Sequence, residues 1–186
     1  AQMKELGYVD GENCEIEYKD AQGEPTTAAS IVQKFKGDKK DVIVAIATPT
    51  AQAAATVSDE IPVVFSAVTD PIAAGLVDSL ESPGKNITGT SDALQIDKIL
   101  DFALKLTPNI KTLGYIYNSG EANSVSCLEK VKAYTDKNGI KLVETAVTNS
   151  SEVQQASQVL VTKVDAVFTP NDNTIATSMN ALADAA

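Results

Sequence analysis

The sequence predicts an α/β fold of two open parallel-sheet lobes with a crossover between them, and three observations predict it. First, four strand-length apolar runs each end in a short loop of small, hydroxyl, amide or acidic residues. They are Val42 to Ala47 before Thr48-Pro49-Thr50-Ala51-Gln52, Pro62 to Phe65 before Ser66-Ala67-Val68-Thr69-Asp70-Pro71, Leu113 to Tyr117 before Asn118-Ser119-Gly120-Glu121-Ala122-Asn123-Ser124, and Ala166 to Thr169 before Pro170-Asn171-Asp172-Asn173-Thr174. Second, each loop opens a helical pattern, and strand, helix, strand in succession builds a parallel, Rossmann-like layer. Third, 186 residues suit two compact units of roughly a hundred residues each. Ligands of open α/β sheets sit outside the carboxyl ends of the strands, so all four loops lie on the binding edge.

The elements follow in order. Asn13 to Tyr18 reads as a strand, and Thr26 to Lys36 as a helix with Ala28, Ile31, Val32 and Phe35 on one face. Val42 to Ala47 reads as a fully buried central strand, followed by a small-residue helix over Thr50 to Val57. Strands at Pro62 to Phe65 and Asn86 to Thr88 flank a short helix near Ile72 to Leu80. The second half opens with a helix from about Ala93 to Leu106, which carries Leu94, Ile99, Leu100, Ala103 and Leu104 and has Pro108 just beyond it. Strands at Thr112 to Tyr117, Lys141 to Ala146 and Ala166 to Thr169 then alternate with helices near Ser124 to Lys137 and Ser151 to Leu160. Ser82 to Ser91, rich in Pro, Gly and hydroxyl residues, reads either as a surface turn or as the crossover between lobes. The doubled architecture favours the crossover, which divides the chain into lobes 1–90 and 91–186.

Both ends read as truncated. Ala1 to Gly7 resembles the last turn of a helix with Gly7 as its stop signal, and Ile175 to Ala186 is an alanine-rich helical pattern without a cap. A strand before Ala1 and returning strands after Ala186 are expected.

Composition excludes several classes. All 15 basic residues are lysine against 25 acidic ones, a net charge of -10, so no basic patch for nucleic acid exists. No histidine is present, which removes the usual acid/base catalyst, zinc ligand and serine-triad partner. No metal site, cofactor motif or catalytic set is expected; no Gly-x-Gly-x-x-Gly or Gly-Lys-Ser/Thr loop follows a strand. Cys14 and Cys127 lack metal or redox spacing and read as free thiols. No apolar run reaches the roughly 20 residues that span a bilayer.

The loops suit a zwitterion. Helix starts offer unpaired backbone N–H groups and the positive end of the helix dipole, and nearby hydroxyls add donors for a carboxylate. Acidic members such as Asp70, Glu121 and Asp172 suit an ammonium group. Thr48, Asp70, Ser124 and Asp172 are equally the residue types that cap helices, and any one alone reads more readily as a cap. Four such loops on one edge shift the balance toward binding.

The run Ile46 to Ala54, then Ile61 to Pro71, Gly75-Leu76-Val77, and Pro83-Gly84-Lys85-Asn86-Ile87-Thr88-Gly89, resembles the ABC-transporter substrate-binding protein family of the tryptophan/tyrosine-binding type. Tyr117 to Ser124 and Asp165 to Thr174 agree with that family's loops. Lys85 stands where a second glycine is common. The resemblance implies a type I periplasmic-binding-protein-like fold whose two lobes, joined by a hinge, close on a small solute and deliver it to a membrane permease. It implies an aromatic amino acid as ligand and a place outside the cytoplasm, lipid-anchored or free in the periplasm. Carried onto this chain, one wall comes from Thr48, Pro49, Thr50, Ser66, Ala67 and Asp70, and the other from Ser119, Glu121, Asn123, Ser124, Asn171, Asp172 and Asn173. Thr48, Thr50, Ser66 and Ser124 hold the carboxylate, and Asp172 with Glu121 or Asp70 holds the ammonium. Phe65 and Tyr117 end strands beside the loops, positions that suit either stacking on the ligand or the core.

Two rivals share the architecture. A cofactor-independent amino acid racemase needs two thiols facing across the cleft, but Cys14 and Cys127 fall inside elements rather than in strand-end loops. The effector-binding core of a transcription regulator has the same two-lobe plan, but the loop motifs differ.

Overall fold

A computed structural model describes residues 2–186. In chain order the elements are α1 (Gln2–Glu5), α2 (Pro25–Gly37), β1 (Ile43–Ile46), α3 (Thr48–Ala55), β2 (Val63–Val68), β3 (Ile87–Ser91), α4 (Ile96–Leu106), β4 (Thr112–Asn118), α5 (Ala122–Asn138), β5 (Lys141–Val147), a 3-10 turn (Ser150–Glu152), α6 (Val153–Val161), β6 (Ala166–Phe168), α7 (Asn173–Thr177) and α8 (Met179–Ala185). They form two parallel sheets, β1-β2-β3 and β5-β4-β6. Ile43 lies opposite Val63 and Val63 opposite Ile87; in the second sheet Tyr115 lies opposite Glu144 and Phe168. Parallel pairing puts every strand's carboxyl end on one edge, where the four loops open.

Local chemistry sets the elements. Pro25 and Pro49 occupy first-turn positions of α2 and α3, where a missing N–H costs nothing. α5 stops at Gly139, whose φ of 66° is open to glycine without strain, and Ile140 N–H then donates to the Thr135 carbonyl. Gly89 on β3 is needed for space, since a Cβ there would stand 2.0 Å from the Phe65 carbonyl oxygen. Lys85 needs no glycine's freedom, because the positive φ of that turn falls on Gly84.

Packing differs between the sheets. α2 and α3 cover one face of the first, burying Val32, Ile43, Ala45, Val63 and Phe65 in one core. The second sheet is covered on both faces: Leu113 and Tyr115 pack with α4 and α5, while Ile116 and Val147 pack with α6, α7 and α8.

Three expectations are corrected. Asn13 to Tyr18 is not a strand: its one ladder contact is an isolated bridge between Asp10 and Cys14, and Ile16 and Tyr18 are exposed. A strand needs a neighbour for its N–H and C=O groups; this segment is tied instead by side chains, with Glu17 ion-paired to Lys34 at 3.1 Å and Lys40 at 2.8 Å. Among the described residues β1 pairs with β2 alone and is buried on one face rather than on both, because α2 and α3 pack on one side of it. Ile72 to Leu80 forms turns rather than a helix, since Gly75 at φ 73° reverses the backbone after the single turn that begins at Asp70. The remaining elements fall within a few residues of expectation, except that the Ile175 to Ala186 pattern is two helices, α7 and α8, parted at Ser178 and begun by an Asp172 cap. The expected N-terminal helical turn is α1, with Gly7 at φ 88° ending it; Ala1 lies outside the described residues. Among the described residues no helix is long and apolar enough to cross a membrane, and no His/Cys/Asp/Glu cluster could hold a metal ion.

Candidate functional site

A cleft of about 330 Å³ opens where the carboxyl ends of the two sheets meet, at the low end of small-molecule pocket sizes. All four predicted loops reach it. The first sheet contributes Ala47, Thr48, Ala67 and Thr69, and the stretch after β3 contributes Asp92. Asn123 comes from α5, Pro170 to Asn173 from the loop after β6, and Ala176 and Met179 from α7 and α8.

The first wall is built from backbone. Ala47, at the end of β1, has φ 75° and ψ 157°, and Ala67 has φ 54°. Both conformations are rare outside glycine, and such strain, on the order of 1–3 kcal/mol per residue, gathers at functional sites. Ala67 lies where β2 slips its register against β3, between Phe65 and Val68, and a bulge of this kind re-aims a strand end. The two corners are joined, because Ala47 N–H donates to the Ser66 carbonyl at 2.9 Å. Thr50 stiffens the turn by donating its hydroxyl to the carbonyls of Ile46 and Ala47. No side chain caps α3, so the first-turn N–H groups of Thr48 and Thr50 have no intrahelical acceptor.

The second wall is built from buried side chains. Glu121, 5% exposed, accepts five hydrogen bonds: from Asn123 Nδ2 (3.1 Å), Asn173 N (3.0 Å), Asn173 Nδ2 (2.6 Å), Thr174 N (2.9 Å) and Thr174 Oγ1 (2.9 Å). Burial opposes its charge, but these donors, led by the Asn173 N–H, outweigh burial and hold its carboxyl below the ordinary glutamate value. Asp172, 2% exposed, caps α7 by accepting from Ile175 N at 2.8 Å. Its other oxygen accepts from Asn118 N and Ser124 Oγ, each at 2.7 Å. Burial pushes the Asp172 carboxyl above its ordinary value despite those bonds. These two acids therefore fix the loop after β6 against the start of α5.

Asn123 stands apart. Its Nδ2 holds the Asn171 carbonyl at 2.6 Å, while its Oδ1 is buried without a partner. Native interiors pair nearly all such atoms, so it calls for a partner from outside the chain. Thr69, 5% exposed, lines the opposite wall of the same cleft.

Of the residues read from sequence, Thr48, Ala67, Asn123, Asn171, Asp172 and Asn173 line the cleft. Pro49, Thr50 and Ser66 build the strained corners behind the first wall, and Glu121 and Ser124 brace the second. Ser119 is exposed, with its N–H on the Val147 carbonyl. Asp70 lies outside the lining and accepts from Ser126 Oγ at 2.8 Å. Phe65 and Tyr117 pack in the two cores, and no aromatic side chain lines the cleft among the described residues. Sequence reading missed Ala47, Thr69, Asp92, Pro170, Ala176 and Met179. Thr69 and Pro170 sat inside the quoted loops and Asp92 one residue past the crossover stretch; nothing marks an alanine or methionine as a wall.

A family model described as ABC transporter substrate binding protein matches residues 1–186. A tyrosine-binding protein from Clostridioides difficile (strain R20291) is 48% identical over 177 residues, covering 95% of this chain and 51% of the relative. An ABC domain in complex with L-Trp from Streptococcus pneumonia superposes with a TM-score of 0.94 at 36% identity, covering 98% of this chain and 62% of that one. The ligand-free, open structure of a substrate-binding protein with adhesive properties from Clostridium difficile gives a TM-score of 0.62 at 45% identity, with the same coverage. The chain thus spans about half to three-fifths of these relatives' lengths. The better sequence match is the poorer superposition, so this protein's arrangement is that of the L-Trp complex rather than of the open form. Its two parallel sheets, meeting at one cleft, are the periplasmic-binding-protein-like fold. By sequence along its whole length and by shape, the chain belongs to the ABC transporter substrate-binding protein family.

Proposed function

We propose that this chain forms the ligand-binding core of an extracytoplasmic receptor that serves an ABC importer, divided into lobes 1–90 and 91–186, and that it takes an aromatic L-amino acid in the cleft and presents it to a membrane permease. The observation that carries this reading is the partnerless buried Asn123 Oδ1 on one wall of a cleft whose other wall carries the Thr69 side chain. A hydroxyl beside the free N–H groups of α3 suits a carboxylate. An amide oxygen facing a cleft that also holds Asp92 and Asp172 suits an ammonium group. Together they describe an α-amino acid zwitterion. Pro170, Ala176 and Met179 offer an apolar seat for its side chain, and a thioether is a favourable neighbour for an aromatic ring. The ligands of two relatives, tyrosine and L-Trp, support the aromatic class.

A binding role rather than catalysis is supported by the thiols. Cys127 is buried in α5 and neither it nor Cys14 lines the cleft, so the two facing thiols of a racemase are not assembled there. Isothermal titration against L-tryptophan, L-tyrosine and L-phenylalanine, with ribose and a non-aromatic amino acid as controls, tests the reading. Saturable heat with an aromatic amino acid is expected. Silence for every amino acid beside a response to ribose overturns it in favour of a regulator's effector core.

A further inference from the structure

Among the described residues, two side-chain bonds tie the second half to the first sheet and to the crossover that leaves it. Asn171 Nδ2 donates to Asp92 Oδ2 at 2.9 Å, and both residues line the cleft. Ser126 Oγ donates to Asp70 Oδ2 at 2.8 Å, and neither of these does. The second bond is aimed from both sides. Asp70 Oδ1 accepts from Ala73 N at 3.0 Å, which fixes the carboxylate at the end of β2, and Lys130 Nζ stands 3.9 Å from Oδ2. Burial opposes the charge on Asp70, but the Ala73 N–H, Ser126 and Lys130 outweigh it and hold the carboxyl below its ordinary value. Asp70 directly follows Thr69, and Ser126 sits one helical turn beyond Asn123. The cleft-lining residues Thr69 and Asn123 and this bond therefore ride on the same two segments.

We infer that Asp70 and Ser126 form a latch between the halves that sets the population of closed protein without touching the ligand; the inference rests on the amino-acid reading of the cleft. A contact made only in the closed state, and to no ligand atom, changes the affinity for every ligand by one factor. Asp70 is thereby a closure residue rather than an ammonium ligand.

The test is a double-mutant cycle on the full-length protein with L-tryptophan and L-tyrosine as titrants. Ser126→Ala is the clean variant, because its hydroxyl makes no other bond among the side-chain contacts. It is expected to bind both amino acids about tenfold more weakly, through faster release, with the tryptophan-to-tyrosine affinity ratio unchanged. Asp70→Ala loses the Ala73 contact as well and weakens binding further, and the double variant is no weaker than Asp70→Ala alone. Wild-type affinity in Ser126→Ala, a changed ratio, or additive losses overturn the latch. Should the wild-type protein bind neither amino acid, the amino-acid reading alone fails. The latch is then read from distances between spin labels on the two halves: Ser126→Ala must lose short-distance population relative to wild type, and an unchanged distribution overturns it.

Discussion

The two halves repeat one strand-and-helix plan and open on one cleft, yet they are finished differently. In the second sheet Tyr115 and Ile116, adjacent on β4 and pointing to opposite faces, are both 0% exposed, because α4 and α5 cover one face and α6 to α8 the other. In the first sheet Ile43 and Ala45 are buried while Val44 and Ile46 are 65% and 60% exposed. The walls of the cleft differ in the same sense. The first half builds its wall from backbone corners at Ala47 and Ala67; the second builds its wall from buried acids and amides. A side-chain network such as that around Glu121 needs a dry, doubly covered support, because a half-satisfied buried network is costly. Backbone corners need only small residues and a sheet edge to hold them.

The sharpest way to break this comparison is to open the doubly covered core. Ile116→Ala is expected to cost about 4 kcal/mol, a full aliphatic truncation at a site with no room to collapse, read as a lower urea midpoint with unchanged slope. Next comes the network itself. Glu121→Gln keeps the shape but turns one acceptor into a donor facing other donors, so a loss of about 2–3 kcal/mol is expected. pH separates this from simple packing. The folded Glu121 carboxyl lies below its ordinary value of 4.5, so its stabilisation is present above pH 4.5 and is lost as pH falls below it. Asp172 works in the opposite sense, since its carboxyl is held above its ordinary value and its burial penalty is relieved by protonation. The wild-type-minus-Glu121→Gln difference in stability should therefore shrink on acidification; a difference constant from pH 7 to pH 3 contradicts the network.

The alternation of strands and helices was legible because apolar run length and helix-start residues are local signals. The cleft's four loops followed from it, since parallel strands place their ends together. What escaped depended on partners distant in sequence. Asn13 to Tyr18 has strand composition but no neighbour to pair with. The bracing bonds of Glu121 carried no mark in the sequence, because a glutamate looks the same whether it meets an ammonium or its own chain's N–H groups; only the fold brings Asn173 and Thr174, 52 and 53 residues away, onto Glu121. Ala47 and Ala67 carry no mark of their positive φ. Thr69 was quoted within its loop but passed over beside the more polar Asp70, and its place on the cleft shows only once the second wall is set against it.

A third prediction addresses the first wall. Thr69→Val is nearly isosteric and removes the hydroxyl of a residue that is 5% exposed and lines the cleft, so stability is expected to change by no more than about 1 kcal/mol. Affinity for an aromatic amino acid should fall about tenfold, near 1.4 kcal/mol. Calorimetric titration and urea unfolding of the same preparation decide it. A fall in stability with no change in affinity shows a structural hydroxyl and removes Thr69 from the site.

The smallest effect tests the difference in cover. In the 186-residue chain Val44→Ser changes a side chain that is 65% exposed and packs under no helix, so its cost is expected to stay within about 0.5 kcal/mol. The comparable change on the doubly covered sheet, Val147→Ser at 1% exposure, should cost about 2–3 kcal/mol from lost burial and an unpaired hydroxyl. Both positions lie on parallel edge strands and both changes trade a β-branched side chain for a hydroxyl, so strand propensity largely cancels between them. Urea midpoints of the two variants measure cover directly. A cost at Val44 that approaches the cost at Val147 means that the outer face of the first sheet is covered in solution, and the contrast between the halves then lies in their cleft walls alone.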